Sequence, residues 1–141
     1  MTMICFSIVA ATSTLAQSDP AAVEQAMQPL RHYYAAINQR NYAEAFAVWE
    51  KREDGKAANG QSFTAFKNGF RDTAQVKLEI GNPGEIEGAA GLNFIEIPVV
   101  ILATSKSGQQ QKFAGIYTMR SSNMADDHNW HIYSAKVKKV K

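Results

Sequence analysis

The chain has 141 residues, 45% of them hydrophobic, 20% charged and 10% aromatic, with 15 basic and 13 acidic side chains and a formal net charge of +2. At about 100–200 residues per domain this is one domain of ordinary globular composition, which excludes disordered, collagen-like and low-complexity readings. So small a net charge also excludes the broad basic field of a nucleic-acid binder, and no nucleic-acid partner is expected.

Residues 1–16, MTMICFSIVAATSTLA, contain no charged side chain; charge begins at Asp19. The apolar run Ile4 to Ala11 is followed by small residues, and Thr14-Leu15-Ala16 fits a signal cleavage site, although no Lys or Arg precedes the run. The expectation is a signal peptide over 1–16 and an exported domain, periplasmic or secreted, over 17–141. No other stretch approaches the roughly 20 apolar residues of a membrane helix, so no transmembrane segment is expected. The lone cysteine, Cys5, falls inside the signal. The domain would then lack disulfides, thiolate ligands and a cysteine nucleophile, and its stability would rest on packing.

Asp19-Pro20 reads as a helix start, because Asp caps and Pro suits the first helical position. Val23, Ala26, Met27, Leu30, Tyr34 and Ile37 follow at helical spacing, with a kink or break expected at Pro29. Asn41-Tyr42-Ala43-Glu44 resembles a capping box and opens a second helix that places Tyr42, Ala45, Phe46 and Trp49 on one face. The short link predicts a helical hairpin. Lys51 to Gln61 is a polar loop. Ser62 caps a short third helix with Phe63, Phe66 and Phe70 as its buried edge.

From Thr73 the period becomes two, with Val76, Leu78 and Ile80 facing one way. Gly81 to Gly84 is a turn, and Glu85 to Gly91 a weak strand or hairpin arm. Leu92 to Thr104, Lys112 to Ser121 and Trp130 to Val140 are strands joined by polar turns. Pro98 must sit at a bulge or an edge, and a bulge there would help to curve the sheet. Helices before an antiparallel sheet give an α+β domain, with the N-terminal helices packed in a strongly curved antiparallel sheet.

The order and spacing of three pieces carry a likeness: Tyr34-x-x-Ile37-x-x-x-Asn41-Tyr42-x-x-Ala45-x-x-x-Trp49, Phe113-x-Gly115-x-Tyr117-x-Met119-Arg120, and Trp130-x-Ile132. Over most of Pro20 to Lys138 the chain resembles the nuclear-transport-factor-2-like superfamily, of cystatin-like α+β architecture, and its small secreted or periplasmic members in particular. The resemblance implies a cone with an apolar pocket at its open end. It also implies that fold does not choose function, since the superfamily hosts isomerases, dehydratases, hydrolases and proteins without chemistry. Members that resemble ketosteroid isomerase pair a pocket tyrosine with carboxylates.

Tyr33, Tyr34, Trp49, Phe66, Tyr117 and Trp130 are the pocket candidates, because aromatic residues with polar tips can line a cavity as well as fill it. Glu96 is the carboxylate best flanked by apolar residues, yet alternation sets it opposite Ile95, Ile97, Val99 and Ile101, facing solvent. His128 and His131 are two ligands where a metal needs three or four, so no metal site is expected. His32 reads as an exposed helix histidine. The Lys136 to Lys141 tail reads as a charged strand end guarding an edge. No triad, nucleophile elbow or phosphate loop occurs. The functional expectation is a non-catalytic domain, without a cofactor, that binds a small apolar ligand or another protein, or forms a homodimer through its sheet face. The alternative is a cofactor-free isomerase or lyase using a pocket tyrosine and Glu96.

Overall fold

The structure is a computed structural model that describes residues 18–123 and 128–141. The expected signal peptide lies outside the described residues. Asp19 caps the first helix, α1 (Pro20–Asn38), by accepting a hydrogen bond from the Ala21 amide at 3.1 Å. The helix runs unbroken through Pro29. Proline costs it one backbone bond, to the carbonyl of Gln25, but Gln25 is exposed and water can serve that carbonyl. Leu30 and Ile37 are completely buried, and Tyr33 and Tyr34 nearly so.

Asn41 caps α2 (Tyr42–Ala47) through the Glu44 amide, as the capping pattern predicts. This helix stops two residues short of Trp49. The reason is a competing partner: the Ile132 amide donates to the Val48 carbonyl and the Glu50 amide to the Ile132 carbonyl, both at 2.9 Å. Trp49 therefore leaves the helix and joins the sheet edge as a parallel bridge to Ile132. Ser62 caps α3 (Phe63–Gly69). Of its expected buried edge, Phe66 is buried and Phe70 half-buried, but Phe63, in the first turn, is exposed and meets Phe46 edge-on.

The sheet contains β1 (Thr73–Ile80), β2 (Glu87–Ala89), β3 (Leu92–Ser105), β4 (Gln110–Ser122) and β5 (His131–Val140). Its order is β1-β3-β4-β5, with the short β2 also paired to β3, and every pairing is antiparallel. Ala90 and Gly91, both at positive φ, make the two-residue turn between β2 and β3. Ile95, Ile97, Val99 and Ile101 point inward, opposite Met119, Tyr117, Gly115 and Phe113. The helices cover this face.

Pro98 lies at a local edge, not in a bulge. Its register against Ile116 of β4 is regular, and on its other side β1 has ended at Ile80 while β2 has not begun. Only its carbonyl is used there, accepting from Gly81 at 2.8 Å. A bulge does occur at Tyr133, where Thr118 pairs with Ser134 and Met119 with Ile132. β5 passes close over Gly115, where a β-carbon would lie 1.9 Å from the Lys136 carbonyl oxygen. Only glycine permits that approach of β5. Asn38, at the end of α1, locks the helix to β1 by exchanging two hydrogen bonds of 2.8 Å with the Val76 backbone.

Candidate functional site

Five of the six pocket candidates meet in the cone interior. Tyr33, Tyr34, Trp49, Phe66 and Tyr117 are all buried. Tyr33 and Tyr34 stand edge to face at 4.9 Å between ring centres, and Tyr34 meets Tyr117 the same way at 6.2 Å. Their polar tips are satisfied within the cluster. The Tyr34 and Tyr117 hydroxyls share a hydrogen bond of 2.5 Å, and the Trp49 indole N–H donates to the Tyr33 hydroxyl at 3.3 Å. Burial, and then mutual repulsion of the phenolates, raises Tyr33 and Tyr34 far above the ordinary tyrosine value; burial alone pushes Tyr117 up to about 12. All three stay protonated at neutral pH and can donate, but not act as bases. Apart from these hydroxyls, Ser121 is the one buried polar residue among the described residues.

Glu96 is exposed, on the face of β3 opposite Ile95 and Ile97, as alternation predicts. It pairs across the sheet with Thr118, whereas Ile97 pairs with Tyr117, so the carboxylate and the tyrosine lie on opposite sides. The sheet does not bring the Glu96–tyrosine pair together.

Trp130, the sixth candidate, lies elsewhere. It lines an open cleft of about 650 Å³ on the helix side of the molecule. One wall is a face of α1 carrying Gln25, Gln28, Pro29 and His32, which recur at helical spacing beside the buried stripe. The second wall is Glu44 and Ala47 of α2 with Val48 just after it, and the third is His128, Asn129, Trp130 and His131, leading into β5. The cleft thus gathers all 3 histidines of the chain. His32 Nε2 pairs with Glu44 Oε1 at 2.8 Å, bridging α1 and α2. His128 Nδ1 meets the Ser122 carbonyl at 2.8 Å. Among the described residues no three His, Cys, Asp or Glu side chains come close enough to hold a metal ion.

Sequence reasoning missed this cleft, although it singled out each histidine. Gln25, Gln28 and His32 signalled only an exposed helix face; the other walls lie far along the chain. A smaller recess beside it holds the part-buried ion pair of Arg120 with Glu50, the guanidinium lying 4.0 Å from the Tyr133 ring centre.

Solved structures match this architecture along most of its length. A conserved protein from Planctomyces limnophilus superposes with a TM-score of 0.61 at 10% identity, over 85% of this chain and 98% of that one. A nuclear transport factor 2-like superfamily protein from Salmonella enterica gives 0.58 at 14% identity, over 86% and 93%. The chain has the nuclear-transport-factor-2-like fold. A hexachlorocyclohexane dehydrochlorinase from Novosphingobium barchaimii also superposes, at 0.58 and 14% identity over 84% and 86%, so the fold's neighbours include an enzyme. No family model and no curated protein matches the sequence.

Proposed function

We propose that this chain is an exported, non-catalytic binding domain that takes a small ligand in its helix-side cleft. The observation that supports this reading is the saturated interior. The tyrosine and tryptophan tips bond to one another, while the open cavity lies outside, between α1, α2 and the start of β5. A cofactor-free isomerase or lyase would need a base near its donor. Among the described residues the hydroxyls of Tyr33, Tyr34 and Tyr117 bond to one another and to Trp49 and not to a carboxylate or imidazole, and Glu96 faces away. The dehydrochlorinase among the fold's neighbours keeps the enzyme alternative in view without choosing it.

Amide chemical-shift mapping against a mixed small-molecule library tests the reading. Perturbations should cluster at His32, Val48 and Trp130. Perturbations confined to Tyr34 and Tyr117, or turnover of a library member, would replace it with chemistry inside the cone. Leu102, Ile116 and Tyr133 are exposed on the outer sheet face, which supports pairing of two copies there. Sedimentation of Ile116→Asp should then show monomer where the parent shows dimer. Export predicts a mature N-terminus near Gln17 in envelope or medium fractions, and intact Met1 confined to the cytoplasm would sink it.

A further inference from the structure

We infer that the helix-side cleft binds a neutral mono- or disaccharide, presented against Trp130 and the cleft's aliphatic wall. This rests on the binding reading above and adds the ligand class. Charge is the first constraint. Among the described residues no lysine or arginine lines the cleft, so an anion finds no fixed countercharge there. Among the described residues the carboxylate on the cleft is Glu44, and it is already paired with His32.

Hydrogen-bonding sense is the second constraint. A carbonyl can only accept, so His128 must donate from Nδ1 to the Ser122 carbonyl, which leaves Nε2 as the acceptor in the neutral ring. Gln28 donates one Nε2 hydrogen to Glu24 at 2.8 Å, and its amide oxygen remains to accept. A ligand that brings donors without charge therefore matches these two acceptors. Hydroxyl groups do this.

Shape and polarity are the third. Pro29, Val48 and Trp130 supply apolar surface on the same cleft. A steroid or fatty chain would match that surface but cover the Gln28 oxygen and the His128 nitrogen without pairing them. A pyranose ring has an apolar C–H face and a rim of hydroxyls, and satisfies both. The cavity volume lies within the roughly 300–1,000 Å³ of small-molecule sites.

The test titrates the full chain with glucose, N-acetylglucosamine, maltose and chitobiose, following the Trp130 indole and His128 imidazole resonances. A second panel holds benzoate, progesterone and zinc chloride. At least one saccharide should shift both resonances saturably. His128→Gln, an exposed change that leaves packing untouched, and Trp130→Ala should each weaken that binding about tenfold or more. If only the second panel moves these resonances, the saccharide assignment falls and the binding reading stands. If neither panel does, and the mixed library leaves the cleft unmoved as well, both fall. Saccharide binding that His128→Gln leaves unchanged places the sugar elsewhere and overturns the assignment.

Discussion

Tyr33 and His32 are neighbours in sequence, yet one faces the cone interior and the other the open cleft. In the interior every polar tip has found a partner from the same chain: Tyr34 with Tyr117, Trp49 with Tyr33. In the cleft the side chains remain wet, and the pair of His32 with Glu44 is half exposed at 52% and 44%. The interior has spent its hydrogen-bonding capacity on stability. The cleft has kept capacity that a ligand can use. Size alone does not make a binding site; unspent polar groups beside apolar surface do.

That contrast can be broken by mutation, beginning with the interior. Trp49→Ala removes a buried aromatic from the core, and should cost about 3–5 kcal/mol in denaturant melts. A loss under about 1 kcal/mol would mean the interior is not packed as described. Tyr117→Phe leaves the Tyr34 hydroxyl buried without its partner, and should cost about 1–3 kcal/mol. Tyr34→Phe should behave alike, and the double variant should cost clearly less than the sum, since no orphan remains. Strict additivity would show the two hydroxyls to be uncoupled.

Alkaline pH sharpens the same point. Burial holds these phenols above their ordinary value of 10.0, Tyr117 at about 12, so the folded chain binds their protons more tightly than the unfolded chain. Their contribution is complete below pH 10 and is lost as pH rises through 10 to 12 and beyond. Melts scanned across that window should show falling stability, and Tyr34→Phe with Tyr117→Phe should flatten the slope. The smallest effect belongs to the cleft: Glu44→Gln weakens an exposed ion pair and should change stability by no more than about 1 kcal/mol. A larger loss would make that pair a structural bolt between α1 and α2.

Much of the fold was legible because its cues are local. The capping residues Asp19, Asn41 and Ser62 mark three helix starts, and the alternation around Glu96 is enough to place it outside. The misreadings came where a distant partner intervened. Trp49 sits at helical spacing from Phe46 and Ala45, but Ile132 claims the backbone on either side of it. Phe63 fits an apolar edge, but the first turn of α3 projects past the core. Pro98 allowed a bulge or an edge, and the gap between β1 and β2 made it an edge.

By itself the sequence determined the order of helices and strands, the inward faces and the aromatic composition of the core, because periodicity and capping act within a few residues. The tertiary structure alone decided what those aromatics do. Five close on one another inside the cone while Trp130 stands at a cleft, an outcome set by the coiling of β5 over Gly115 and the bulge at Tyr133. It alone brought His32 and Glu44 together with His128 and Trp130. Those residues lie in segments about a hundred positions apart, and only the packing of α1 and α2 against the start of β5 makes them neighbours.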